Sequence, residues 1–292
     1  MKKIVVLGGG GMAGHVLRLF LASRGHEVYY TQRSGKEEEA IPLDLRDFEG
    51  GRTVLERLKP DVVINAAGLL NDAASNRLQE AILVNSLLPH RLADWGDELN
   101  YRLLHISTDC VFSGIGGPYE ESRVQDGSSV YAKTKSLGEV NRPGHLTIRT
   151  SIIGPELHDR GIGLFHWFMS QTGEVQGYSR VYWNGVTTLE LARFAIWCVE
   201  SSAALDGVIH LASGSKVSKD ELLRMMNRIF RVKGEVTIRS CDKLHHDKSL
   251  LGTRSDCSYE VPSYDKMLRM QLDWMQQHPR LYRHYRLAAD FV

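Results

Sequence analysis

An apolar run, Ile4-Val5-Val6-Leu7, is cut off by four glycines in a row, Gly8 to Gly11, and Gly14 follows within one helical turn. Strand, glycine turn, helix is a sequence that few folds accommodate. Glycine lets the backbone turn tightly and approach a ligand, and a helix beginning directly after the turn offers free N–H groups to a phosphate. Two registers fit the glycines: Gly9-x-Gly11-x-x-Gly14 and Gly8-x-x-Gly11-x-x-Gly14. In both, Gly11 faces a dinucleotide pyrophosphate, Met12 opens the helix and Gly14 lets that helix pack on the sheet. The plain alternative is a flexible turn.

Short β-branched runs then alternate with amphipathic stretches. Strands are expected at residues 3–7, 27–31, 61–65, 102–107 and 146–149, and helices at 12–23, 52–58, 78–99 and 130–141. Val62-Val63-Ile64 is apolar without alternation, as suits a strand covered on both faces. The alternation implies an α/β fold, a Rossmann-type doubly wound parallel sheet. Beyond Arg149 the rhythm changes. Gly154-Pro155 marks a break, an irregular aromatic stretch surrounds Phe165-His166-Trp167-Phe168, and 208–211 reads as one more strand. Ser218 and Glu221 form a capping-box pattern, and 264–285 reads as helical. The expected division is a dinucleotide-binding domain from 1–150 and 177–213. A smaller, mostly C-terminal substrate-binding domain comes from 151–176 and 214–292.

Composition narrows the partners. The 292 residues are 42% hydrophobic and 24% charged, with a net charge of +1. Such a balance gives no general attraction to nucleic acid or to a membrane surface. The apolar runs are strand-sized, far below the ~18 residues of a membrane span. Met1-Lys2-Lys3 imitates the start of a signal peptide, but Gly8 to Gly11 interrupt the apolar run that would follow. A cytoplasmic protein is therefore expected. Cys110, Cys198, Cys241 and Cys257 form no C-x-x-C pair, which reads as reduced thiols, and no metal-ligand spacing is present.

The end of the second strand selects the nucleotide. Chains that bind NAD usually place a carboxylate there, about 20 residues past the glycines, to hold the ribose hydroxyls. This chain has Thr31-Gln32-Arg33-Ser34, so Arg33 and Ser34 are candidates to hold a 2′-phosphate, and NADPH is favoured over NADH. Asp44 and Leu45 fall where a third strand would end, beside an adenine. Asn65-Ala66-Ala67-Gly68 closes the fourth strand with small residues that allow close approach to a cofactor.

Tyr131-x-x-x-Lys135 supplies the chemistry. The two side chains share one helix face. A phenol has a pKa of about 10, and a nearby ammonium favours the phenolate. Tyr131 then serves as general acid toward the alkoxide made when a ketone accepts hydride, and Lys135 also reaches the nicotinamide ribose. Thr108, in Ser107-Thr108-Asp109 at a predicted strand end, orients the carbonyl oxygen. The plain alternative is a surface tyrosine beside a solvated lysine.

These motifs together resemble the extended short-chain dehydrogenase/reductases, and more narrowly the dTDP-4-dehydrorhamnose reductase family. The resemblance rests on the glycine motif, Asn65-Ala66-Ala67, Val84-Asn85, Ser107-Thr108-Asp109-Cys110-Val111-Phe112-Ser113-Gly114, and Tyr131-x-Lys133-Thr134-Lys135-x-x-Gly138-Glu139. It is dense over residues 1–155 and sparser beyond. It implies catalytic roles for Thr108, Tyr131 and Lys135. It implies contacts to cofactor from Gly8, Gly11, Met12, Gly14, Ala66, Ala67, Gly68 and Asn85, with Asn85 also an active-site structural position, and contacts to substrate from Asp109 and Cys110. The implied substrate is a nucleotide-linked 4-keto-6-deoxyhexose of surface-polysaccharide biosynthesis, and a homodimer is compatible with it.

The chain departs from the family in two ways. Cys110 stands where an aromatic is usual. No glutamate set matches the magnesium-linked dimer of some rhamnose-pathway reductases, so no metal is expected. Trp183, Asn184 and Thr187 offer an aromatic wall with polar tips for the nucleotide base, and Arg254 is a candidate phosphate clamp. Two other readings stay open. One is an epimerase or dehydratase of the same superfamily with Cys110 as an acid–base group. The other is a non-catalytic NADP-binding subunit, since the regulatory subunit of methionine adenosyltransferase resembles the same family.

Overall fold

The computed structural model describes residues 1–33, 39–201, 204–230, 236–285 and 287. One parallel sheet organises them. Its strands are β1 (Lys3–Leu7), β2 (Glu27–Gln32), β3 (Ile41–Pro42), β4 (Val62–Asn65), β5 (Arg102–Thr108), β6 (Leu146–Thr150) and β7 (Gly207–Leu211). They lie in the order β7-β6-β5-β4-β1-β2-β3. The order reverses between β1 and β4, and a crevice opens at the carboxyl ends of strands flanking such a point.

The period-2 alternation of the strands divides the core in two. Ile4, Val6, Ile64, Leu104 and Ile148 face one way, packed against α1 (Met12–Ser23). Val5, Leu7, Val63 and Leu103 face the other way, against Leu55 of α2 (Phe48–Leu58) and Leu92 and Trp95 of α3 (Leu88–Leu99). Other helices are α4 (Val130–Leu137), α5 (Thr188–Glu200), α6 (Lys219–Phe230) and α7 (Tyr264–Gln277), and the last three add Leu191, Leu223 and Met267 to the first cluster. No helix among the described residues is long and apolar enough to cross a membrane.

The helix expected over 78–99 is not uniform. Leu78–Ala81 is α-helical, Ile82–Leu87 is a π-helix, and α3 follows. Pro89 is the cause. It has no N–H to give to the carbonyl of Asn85, the partner a regular α-helix would assign it. The widened turn buries Val84, Asn85 and Ser86. Gly138 is pressed so close to the Asn85 carbonyl that a Cβ there would overlap it. The expected helix over 264–285 also ends early, at Gln277. The chain then turns so that the Tyr282 hydroxyl meets His15 Nε2 at 2.9 Å.

Short strands build the other wall of the crevice. Gly173–Tyr178 pairs in parallel with Val236–Cys241. Val181–Trp183 lies between Val217–Ser218 and His246–Asp247. Tyr119–Glu120 pairs with Leu250–Leu251, and Ile152–Ile153 with Val186–Thr187. Within the expected 177–213 segment, β7 joins the main sheet, whereas Val181–Trp183 belongs to this second wall. The strand Gly173–Tyr178 runs through the expected boundary at 176/177.

Candidate active site

The glycine loop builds a phosphate cradle. Gly8 has φ +78°, a conformation that side chains disfavour, and the Gly11 N–H donates to its carbonyl at 3.0 Å. A Cβ at Gly8 would stand 3.0 Å from Ala67 Cα, and one at Gly14 would overlap the Gly8 carbonyl. Gly11 is the N-cap of α1 and contributes no side-chain hydrogen bond, which leaves the first N–H groups of the helix for an anion. From this loop a groove of about 530 Å³ runs along the carboxyl ends of β1, β2 and β4. Gly8, Gly11, Arg33, Asp44, Leu45, Ala66, Ala67 and Gly68 line it. Met12 is not among its lining residues, and its Sδ stands 3.1 Å from where a Cβ on Gly163 would be. Ser34 lies outside the described residues.

Arg33 is exposed at the rim. Asp44 is held at about 2, first by the Arg46 guanidinium, which donates to both its oxygens, with Arg33 adding a smaller pull. Its charge is thus balanced by arginines and is not free to repel a phosphate.

Asn85 is not positioned to touch a ligand in the groove. Its Oδ1 accepts from Leu69 N at 2.8 Å, and its Nδ2 donates to Leu69 O and to Thr134 Oγ1 at 2.9 and 3.1 Å. All its amide groups are spent on fixing the loop after β4 to α4. The expected direct contact to cofactor is corrected to a support for the loop that lines the groove.

The reactive groups collect at the end of β5. Thr108 closes the strand, and its Oγ1 accepts from Cys110 N at 3.1 Å and donates to Asp109 Oδ1 at 3.2 Å. Tyr131 stands in the first turn of α4, where Ser129 caps the helix. Burial raises its phenol pKa, the nearby Cys110 adds to this, and Thr108 pulls it down. Lys135, one turn on, is 3% exposed, and burial lowers it to about 8. Its ammonium is not turned toward the phenol. It donates to Ile106 O at 2.7 Å and lies 3.3 Å from His105 Nε2. The acidifying effect of Lys135 on Tyr131 that the motif implies is therefore absent from this arrangement.

On the far side of Thr108 the site is polar and buried. Burial raises the Asp109 carboxyl, while Lys248, Lys219 and the Ser151 hydroxyl draw it down. Cys110 is pushed up to about 11 by burial and by Asp109, so at neutral pH it is a thiol and a poor base. Trp183 is 4% exposed, and its indole N–H donates to Ser151 Oγ at 2.8 Å. The Lys219 ammonium sits 4.9 Å from the centroid of the Trp183 ring. Burial brings Lys219 to about 8 as well, with Asp109 opposing. Trp183 is thus a core aromatic whose edge and face hold Ser151 and Lys219.

Three expected substrate contacts have other occupations. Asn184 Nδ2 donates to Ser213 O and Leu250 O, and its Oδ1 accepts from Leu250 N at 2.8 Å. It pins the 250–251 strand. Thr187 caps α5, its hydroxyl accepting from Glu190 N at 3.2 Å. Arg254 lines a second cavity of about 590 Å³, together with Asn184 and His210, and is not among the residues of the glycine-loop groove. It pairs with Asp256 and donates to Asp206 O and Val208 O at the amino end of β7, opposite the edge that carries the reactive groups. The loop carbonyls at that strand end needed a donor, and the arginine supplies it.

Sequence reading missed His105, Ser151, Lys219 and Lys248. His105 left a trace, as a polar residue inside the apolar run Leu103–Ile106. The others left none, because their place depends on how distant short strands meet.

A family model described as RmlD substrate binding domain matches residues 1–245. Among curated proteins, the spore coat polysaccharide biosynthesis protein SpsK of Bacillus subtilis is 31% identical over 141 residues, 48% of this chain and 47% of that one. The dTDP-4-dehydrorhamnose reductase of Salmonella typhimurium is 32% identical over 154 residues, 51% of this chain and 50% of that one. The match thus spans about half the length of these relatives. A solved dTDP-4-dehydrorhamnose reductase from Bacillus anthracis, in complex with NADP, superposes with a TM-score of 0.78 at 17% identity, covering 94% of this chain and 99% of that one. At that identity the likeness concerns the fold.

Proposed function

The chain belongs to the RmlD substrate binding domain family, and from that premise we propose that it is an NADPH-dependent reductase. Its substrate is the 4-keto group of a nucleotide-linked 4-keto-6-deoxyhexose, a dTDP- or UDP-sugar of polysaccharide biosynthesis. What supports this reading is Thr108 at the end of β5 with Tyr131 beside it and Lys135 one turn on in α4, together with a groove whose glycine cradle suits a dinucleotide. The cradle has no room for side chains at Gly8 and Gly14, and the uncapped start of α1 suits a pyrophosphate. Arg33 is the group for a 2′-phosphate. NADPH, when bound, supplies the hydride. Thr108 donates a hydrogen bond to the carbonyl oxygen and so stabilises negative charge developing there. Tyr131 holds the proton that the resulting alkoxide needs, and its raised pKa keeps that proton in place until charge appears. Lys135 reaches the cofactor ribose. Lys219, over Trp183, offers a cation to the anionic part of the sugar nucleotide.

The solved relative with NADP and the reductase names of the relatives support this reading. The test is consumption of NADPH in the presence of a 4-keto-6-deoxyhexose nucleotide generated by a 4,6-dehydratase. Oxidation of NADPH with formation of the 6-deoxyhexose nucleotide is expected. Failure to consume it with both dTDP- and UDP-linked substrates overturns the proposal.

A further inference from the structure

His105 is fully buried and belongs to no motif, yet it joins the catalytic lysine to the cofactor loop. From β5 its Nε2 lies 3.3 Å from Lys135 Nζ, and its Nδ1 lies 3.2 Å from Asn65 Nδ2 on β4. Asn65 Oδ1 in turn accepts the backbone N–H of Ala67 at 3.2 Å, in the loop that lines the groove. The other charges acting on the imidazole are those of Lys135 on α4 and His90 on α3, and Glu139 acts on Lys135. Burial, with Lys135 second, holds the imidazole well below its usual value. It is therefore neutral and carries one proton, on one nitrogen or the other.

That single proton has two consistent placements. With the Asn65 amide as described, its N–H points at Nδ1, so the imidazole proton is on Nε2 and faces the lysine. Lys135 must then present a lone pair and be a neutral amine. When Lys135 is an ammonium, it needs Nε2 as an acceptor. The imidazole proton moves to Nδ1, and the Asn65 amide must rotate to meet it with oxygen. The Ala67 N–H then loses its acceptor and becomes available to a ligand in the groove. One proton enters from solvent, on Lys135, and the imidazole keeps its own count. We propose that His105 is a positioning residue that works as a tautomeric relay, tying the charge of Lys135 to the hydrogen-bonding state of the Ala67 backbone. The link to NADPH rests on the reductase reading. The relay itself does not.

The test uses the protein without cofactor. Nitrogen-15 NMR of the imidazoles is recorded at about pH 6.5 and about pH 9.5, on either side of the lysine value of about 8. The His105 signals are assigned by their loss in His105→Gln. A switch from the Nδ1–H form at low pH to the Nε2–H form at high pH is expected, with its midpoint at the titration of Lys135. Lys135→Met should keep the Nε2–H form throughout. One unchanging tautomer in the wild type, or a switch that survives Lys135→Met, overturns the relay. Calorimetry at about pH 8.5, where most of Lys135 is neutral, adds the functional arm: NADPH binding should take up protons in the wild type and none in His105→Gln. Equal uptake in both also overturns it. A relay that switches in a protein that consumes no NADPH with either sugar nucleotide would overturn the reductase reading alone.

Discussion

On the cofactor wall Lys135 is held by a backbone carbonyl and an imidazole, whereas on the substrate wall Lys219 rests on an aromatic ring. Among the described residues no carboxylate pairs with either ammonium. Both lysines are brought to about 8, in each case chiefly by burial. The difference lies in what fixes them. Lys135 is positioned by a strand and a helix adjacent in one sheet layer. Lys219 is positioned by α6, by Trp183 from one short strand, and by Asp109 from the end of β5. The cofactor wall is therefore specified by backbone geometry, and the substrate wall by side chains that meet from far apart in the chain.

The comparison can be broken most sharply at the residue between the walls. Tyr131→Phe should lower kcat by at least about a hundredfold, since general acid catalysis contributes about 10²–10⁴. It should leave NADPH affinity unchanged. A variant keeping a tenth of wild-type turnover would take the proton from another group and dissolve the division of labour.

Next in size is the buried ion pair behind both walls. Arg149 and Glu139 are nearly inaccessible and doubly bonded, at 2.6 and 2.9 Å, and Arg149 Nη1 also contacts His210 Nε2 at 2.8 Å. Arg149→Met leaves a buried carboxylate unpaired and should cost about 3–5 kcal/mol in urea unfolding. A loss under about 1 kcal/mol would show that the pair contributes little. The same cluster sets a pH dependence. Burial depresses His210 to about 4, so below its ordinary value of about 6.5 the unfolded chain binds the proton first. Stability should fall as pH drops from about 6.5 toward 4, and His210→Gln should flatten that slope. A wild-type stability that rises over this range contradicts the assignment.

A smaller effect is expected on the substrate wall. Lys219→Met should raise KM for the sugar nucleotide about tenfold, the size of a charged hydrogen bond, with NADPH affinity intact. Weakened NADPH binding would place Lys219 on the other wall. The smallest effect should come from Arg254→Ala, with KM changed less than about twofold, within the noise of a surface substitution, since its guanidinium faces Asp256 and the amino end of β7. A tenfold rise in KM would return it to the crevice.

The cofactor wall was legible in the sequence because its determinants are local. A strand followed by glycines and a helix can fold in few ways, and Tyr131 and Lys135 are one turn apart on any helix. The substrate wall was legible only as a segment. Trp183 was found because it is aromatic beside Asn184-Gly185, but the Asn184 amide is consumed by the strand at 250–251, whose pairing no local pattern announces. Arg254 misled for the same reason. A cation in a glycine-containing loop looks ready for a phosphate, and only the fold shows that backbone carbonyls claim it. The π-helix was missed because the apolar periodicity of 78–99 reads as one helix running through Pro89.

The pairing of Tyr119–Glu120 with Leu250–Leu251, and of Gly173–Tyr178 with Val236–Cys241, has a consequence for synthesis. A ribosome that has made β1 to β6 has released the cofactor wall, but the partner strands of the second wall are still to be translated. During that interval the edges at 119–120 and 173–178 lack their neighbours, and pairing so distant in sequence closes slowly. The nascent chain can thus form its glycine cradle before the short strands that face it are complete. Protease should cut ribosome-bound chains near 173–178 when translation has halted short of Val236, and should spare that strand once Leu251 has emerged.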